Sequence, residues 1–252
     1  MHFTKPTAAN RSQIRHTRLI LSLAVGMCMF TGCTSMKTSV VGMSVEDRPI
    51  ECQRIGWGRD TVLIIATIHG DEAAGTPLVA RLAEHLQDNP KLLKGRKIII
   101  MPVANPDGYV HNSRFNVSGV DLNRNFPADN FDASQRHGAF ALCEPESRAI
   151  KSVLDKYKPS RIVSIHQPVA CIDYDGPAAE LASAMGRHTN LPVKRIGSRP
   201  GSLGSYAGLT LSTPIITFEL PATASSMDQE TLWNAYGESL LAAIRYPDDE
   251  LQ

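Results

Sequence analysis

Three side chains at widely separated points have the types and spacing of a metal site. His69 and Glu72 stand in ATIHGDE (66–72), where an apolar run ends abruptly in polar groups, and His166 closes RIVSIH (161–166). Two imidazoles and one carboxylate suit Zn²⁺ with a fourth position open to water. The i, i+3 spacing of His69 and Glu72 lets one turn at the head of a helix present both to a single point. A fourth apolar run, PIITFEL (214–220), carries Glu219 at its end. A carboxylate there suits a general base that takes a proton from the activated water and passes it to a leaving amine. HxxE alone is a weak signal, and the distant strand-end histidine and glutamate strengthen it.

Such chemistry also needs an anchor for substrate and a partner for the developing oxyanion. RFNVSGVDLNRNFP (114–127) offers Arg114, Asn123 and Arg124 in a stretch punctuated by Gly119 and Pro127, which suits neither a regular helix nor a strand. Arginine grips carboxylates in a fork and stabilises negative charge on a tetrahedral centre. A solvated surface loop is the alternative reading of this segment.

The elements that must position these groups alternate along the chain. Strands are predicted over 61–69, 96–106, 161–166 and 214–220, and helices over 71–87, 144–157, 177–190 and 227–245. Near-continuous apolar strands alternating with amphipathic helices imply a single α/β domain, with a mixed, mostly parallel central sheet and helices on both faces. Ligands gather at the carboxyl ends of such strands. There the sequence puts His69 and Glu72, NPDG (105–108), His166 and Glu219, all expected on one rim.

Composition narrows the partners. The chain has 252 residues, 42% hydrophobic and 20% charged, enough for one globular domain plus a short segment. A net charge of +1 with no basic stripe makes nucleic acid an unsuitable partner. Lys5, Arg11, Arg15 and Arg18 precede an apolar run at 19–30, the pattern of an export signal. Its end, FTGCTS, resembles a bacterial lipoprotein box in which Cys33 would be lipidated and anchor the chain to a membrane, although Phe30 replaces the usual leucine. An ordinary secretory signal is the alternative. Thr34, in place of aspartate, favours the outer membrane. The expected organisation is a signal over 1–33, a linker and first strand region over 34–55 and a catalytic domain over 56–252. Cys52, Cys143 and Cys171 remain after the signal, allow one disulfide at most and match no zinc spacing. The sequence sets no oligomeric state.

HGDE (69–72), NPDG (105–108), GVDLNRNFP (119–127), SIH (164–166) and TFELP (217–221) occur in the order found in the carboxypeptidase A-like zinc peptidases. The resemblance spans about residues 60 to 245. It implies one zinc per chain held by His69, Glu72 and His166, with Glu219 as base and acid. Arg114 is then the oxyanion partner, and Asn123 and Arg124 hold the terminal carboxylate. CEPESRA (143–149), HQPVACIDYDGP (166–177) and RPGSLGSYAG (199–208) resemble more narrowly the short bacterial branch of murein peptide amidases. That branch cleaves between γ-D-glutamate and meso-diaminopimelate, so peptidoglycan-derived peptides are the expected substrates. The distal ammonium of diaminopimelate needs an acid, for which Asp173 and Asp175 stand suitably; a turn-forming role around DYDG is the alternative.

This chain departs from the larger family in two respects. The long loop bearing a mobile tyrosine is replaced by Pro221 and ATASSMDQ, and neither Tyr174 nor Tyr206 is assigned its role. The export signal also contrasts with the cytoplasmic amidase of that branch. Two other functions compete with the peptidase: a small-amide deacylase of the succinylglutamate desuccinylase and aspartoacylase type, and a non-catalytic lipoprotein that binds wall peptides. The full GVDLNRNFP argues against the first and an intact Glu219 against the second.

Overall fold

The computed structural model describes Met1, His2 and residues 35–247. The export signal and Cys33 read from the sequence therefore lie outside the described residues. Seven strands form one sheet: β1 (Lys37–Met43), β2 (Pro49–Gly56), β3 (Asp60–Ala66), β4 (Arg96–Met101), β5 (Arg161–His166), β6 (Val169–Asp175) and β7 (Ile215–Pro221). Their spatial order is β1-β2-β4-β3-β5-β7-β6. The four central strands β4, β3, β5 and β7 run parallel, and the flanks, β2 and β1 on one side and β6 on the other, pair antiparallel. Residues 37–56, set apart in the sequence as a linker and first strand region, are thus part of the same sheet. Strand β6 has no counterpart among the predicted elements.

Alternation along the strands divides the core into two layers. Val62, Ile64, Ile98, Ile100, Val163, Ile165, Ile216 and Phe218 pack on one face. There they meet helices α1 (Gly75–Asp88), α4 (Ala179–Gly186) and α5 (Gln229–Arg245) through Leu78, Leu82, Leu181 and Leu240. Leu63, Ile65, Ile99, Met101, Ile162 and Ile215 face the other way, onto Ile150 and Val153 of α3 (Pro145–Tyr157) and onto Leu122, Phe126 and Tyr206. Both faces being covered explains why the parallel strands read as unbroken apolar runs. Among the described residues no helix is long and apolar enough to cross a membrane.

The NPDG segment does not supply the rim with chemistry, contrary to the sequence expectation. It opens the short helix α2 (Pro106–His111), whose first turn is capped by Asn105 accepting from the Gly108 amide at 2.9 Å. The Asn105 amide group donates to the Ile68 carbonyl at 3.3 Å, bracing the turn that carries His69. Backbones meet there: a Cβ on Gly70 would lie 1.9 Å from the Gly108 carbonyl carbon, so the two chains could not approach this closely with a larger residue at position 70. Asp107 is fully buried and accepts from Ser44 Oγ at 2.7 Å, from the Glu46 amide at 3.0 Å and from Arg48. It therefore ties the β1–β2 connection to α2.

Burial opposes ionisation of Asp107, but its Ser44, Glu46 and Arg48 donors overcome this and hold its carboxyl below the usual aspartate range. A carboxyl depressed in the folded state stabilises the fold above its ordinary pKa, and that contribution is lost as pH falls through the folded value. Asp107→Ala should lower the unfolding free energy by about 2–3 kcal/mol at pH 7, since buried donors lose a charged acceptor. Chemical denaturation should show the deficit shrinking toward acid pH. A variant as stable as the wild type at pH 7 would rule this tie out.

Candidate active site

Strand β3 ends at Ala66, and Thr67, at φ +53°, turns the chain so that His69 and Glu72 lie in one tight turn closed by the Glu72 amide on the His69 carbonyl at 3.2 Å. β5, the next strand over, ends on His166. His69 Nδ1 lies 2.8 Å from Glu72 Oε1, His166 Nδ1 lies 2.8 Å from Glu72 Oε2, and the two Nδ1 atoms are 3.2 Å apart. All three side chains are buried.

The opposite nitrogen of each ring is also engaged. His69 Nε2 meets Asp121 Oδ1 at 3.0 Å, and His166 Nε2 meets Ser164 Oγ at 3.0 Å. These contacts fix both rings with Nδ1 inward, an arrangement that supports a metal ligand from behind. Asp121 is a residue of this cluster that the sequence reading missed. It stands in the quoted GVDLNRNFP, where its cap on the Asn123 amide at 2.9 Å is local, but its partner His69 is 52 positions away.

The donor set fits zinc. Ligands on a tetrahedral ion with bonds of about 2.0–2.1 Å stand about 3.3 Å apart, close to the 3.2 Å between the two Nδ1 atoms. The three ligand atoms lie within 4.8 Å of one another. Electrostatics point the same way. Burial disfavours a charged Glu72, but hydrogen bonds from His166 and His69 outweigh it and hold the carboxyl far below its usual range. Burial likewise opposes protonation of His69, yet Asp121 and Glu72 raise its pKa.

Strand register sets the surroundings. His166 pairs with Glu219 across β5 and β7, and Glu219 with Cys171 across β7 and β6. One step back, Ser164, Thr217 and Asp173 form the next row, followed by Ile162, Ile215 and Asp175. A single face of the sheet therefore changes from apolar to polar toward the carboxyl ends of its parallel strands. Glu219 is half-buried, and its Oε2 accepts from the Val169 amide at 3.4 Å. Burial, with repulsion from Glu72, pushes its carboxyl up against the attraction of His166.

The predicted residues converge on one cleft of about 230 Å³, which is lined by His69, Glu72, Arg114, Asn123, Arg124, His166, Asp173, Asp175 and Glu219 among others. Arg114 donates to Glu72 Oε1 at 2.8 Å and reaches Asp121 Oδ2 at 3.4 Å. Asn123 accepts the Leu203 amide at 2.9 Å, and Arg124 donates to the Asn123 carbonyl at 2.6 Å. Burial, with Arg114 and Arg199 nearby, lowers the Arg124 pKa against the pull of Asp121. Asp173 accepts from the amides of Tyr174 and Ile196, and Asp175 from Ser198 Oγ. Tyr206 stacks on Phe126 in the core and Tyr174 packs against the opposite core layer, so neither lines the cleft. Cys52, Cys143 and Cys171 are all free thiols.

Comparison with known proteins gives the same picture. The family model described as zinc carboxypeptidase matches residues 33–181. Murein peptide amidase A of Escherichia coli K12 is 33% identical over 190 residues, covering 68% of this chain and 76% of that protein. The Vibrio campbellii protein of the same name is 31% identical over 222 residues, covering 81% and 85%. The crystal structure of murein-tripeptide amidase from Escherichia coli O157 superposes with a TM-score of 0.68 at 25% identity, over 85% of this chain and 94% of that one. Carboxypeptidase A of Helicoverpa armigera shares the fold, with a TM-score of 0.67 at 22% identity over 86% and 70% of the two chains. A buried two-histidine, one-carboxylate cluster at the strand ends and this extent of similarity lead to one conclusion: the chain belongs to the zinc carboxypeptidase family, as a metallocarboxypeptidase-like hydrolase.

Proposed function

We propose that this protein hydrolyses amide bonds in peptidoglycan stem peptides, specifically the bond between γ-D-glutamate and meso-diaminopimelate. The observation that carries the reading is one cleft in which the His69, Glu72 and His166 donors and Glu219 share walls with a carboxylate-binding pair, Asn123 and Arg124, and with the acids Asp173 and Asp175. A substrate whose last residue has both a terminal carboxylate and a distal ammonium matches those walls. The names of the amidase relatives support the same substrate class.

Each residue has a role in this reading. Zinc held by His69, Glu72 and His166, one ion per chain, supplies Lewis acidity toward water and the scissile carbonyl. Asp121 and Ser164 keep the two rings in the ligating orientation. Glu219, whose raised pKa suits it to exchange protons, takes one from the attacking water and delivers it to the departing amine. Arg114 stands beside Glu72 with its guanidinium partly exposed to the cleft, where it stabilises charge developing on the carbonyl oxygen. Partial burial of Arg124 strengthens its grip on the terminal carboxylate, because the pair forms with little water between.

The basic start and apolar run at 19–30 support export, and FTGCTS supports a lipid on Cys33 that holds the domain on the periplasmic side, at the outer membrane.

Two tests follow. Incubating zinc-loaded mature protein with L-Ala-γ-D-Glu-meso-diaminopimelate should release free diaminopimelate by mass spectrometry. Glu219→Gln should abolish turnover, and Asp173→Asn with Asp175→Asn should cut kcat/KM by about 10-fold or more through loss of charged partners. Failure of the wild type on this and on longer stems would sink the reading, and turnover by Glu219→Gln would remove its base. In cell fractionation, Cys33→Ser should move the protein from the membrane pellet to the soluble fraction; a wild type already soluble would exclude the anchor.

A further inference from the structure

The cleft contains one charged group that none of these roles uses. Arg199 lines it, and among the described residues its guanidinium makes no hydrogen bond or ion pair. Arg114, by contrast, is engaged by Glu72 and Asp121. The root of Arg199 is nonetheless fixed. Its carbonyl accepts from the Ser202 amide at 3.1 Å and from Ser205 Oγ at 3.0 Å. Two residues on, Gly201 lies against the Arg124 carbonyl, where a Cβ would come within 2.3 Å, and its amide donates to Asn130 Oδ1 at 3.2 Å. A pinned backbone carries an unpartnered cation beside a second cation, Arg124, which feels its repulsion. Arg124 has Asp121 as a counter-charge and Arg199 has none among the described residues, so the two neighbouring guanidinium groups repel, and a carboxylate entering beside Arg199 offsets that cost.

Adjacency identifies where the second carboxylate belongs. Ser198, the residue before Arg199, donates to Asp175 Oδ1, so the acid wall and Arg199 are joined through one peptide unit. An amino-acid head group presents its ammonium and carboxylate from a single carbon, and its receptors must therefore be neighbours. We infer that Arg199 binds the distal carboxylate of the substrate's last residue, completing with Asp173 and Asp175 a subsite for a second amino-acid head group. Arg124 and Asn123 hold the terminal carboxylate, and Arg199 with the two acids reads a zwitterion at the far end of the side chain. The pocket thereby prefers a diamino dicarboxylic acid over a diamino monocarboxylic acid such as lysine, which has the ammonium alone. This inference rests on the proposed function for its substrate class.

Binding without turnover separates the two. Calorimetry on the zinc-loaded Glu219→Gln protein should give L-Ala-γ-D-Glu-meso-diaminopimelate about a 10-fold or greater advantage over L-Ala-γ-D-Glu-L-Lys. Adding Arg199→Ala should bring the ratio of the two dissociation constants close to one, and Arg199→Lys should restore part of it, since a point charge replaces the fork. An unchanged ratio in Arg199→Ala, equal weakening of both peptides, or no preference before the substitution would overturn the inference. Absence of diaminopimelate release by the wild-type enzyme would instead count against the proposed reaction, whatever the binding ratio.

Discussion

A carboxylate caught between two imidazoles is the contact on which the rest of the site depends. Glu72 lies against both Nδ1 atoms and accepts from Arg114 and from the Gln167 amide, so one buried group gathers β3, β5 and the loop at 114 onto a single point. Buried charge is costly unless paired, and here each partner is itself braced: His69 by Asp121, His166 by Ser164. The parallel pairing of β3 with β5 makes the meeting possible, because it delivers both strand ends to the same edge of the sheet.

From that point outward, register decides geometry. The pairing of His166 with Glu219 sets the proposed base one strand away from a proposed ligand without any loop to position it. Antiparallel β6 then returns along β7 and presents Cys171, Asp173 and Asp175 on the same face. Sites built on strands hold their groups more precisely than sites built on loops. The loop residues that do contribute are stitched down: Phe126 donates to the Gly201 carbonyl at 2.9 Å, and Leu203 to Asn123. Behind the rim, contact between Gly70 and Gly108 lets α2 support the His69 turn.

The groups that line the cleft were largely legible in the sequence, because parallel strands covered on both faces leave long apolar runs whose polar endings stand out. His69, Glu72, His166 and Glu219 were found that way, and Asn123 and Arg124 through a motif. Strand β6 was hidden because the end of VACIDYD is polar at alternate residues: Asp173 and Asp175, which line the cleft, look like loop when the partner face is unknown. β1, at the sheet edge, is half exposed and gave a similarly weak pattern. The NPDG segment was misread, since strand-end position alone does not reveal that Asp107 turns toward Ser44 and Arg48. Asp121 escaped for a related reason: its importance lies in a contact with a ring 52 positions earlier.

Anomalous scattering at the zinc edge, from crystals of the mature protein grown with zinc, would locate the metal itself. One strong peak per chain is expected, between Nδ1 of His69, Nδ1 of His166 and the Glu72 carboxylate. A peak elsewhere, or none at that point with zinc in excess, would refute these three residues as the ligands.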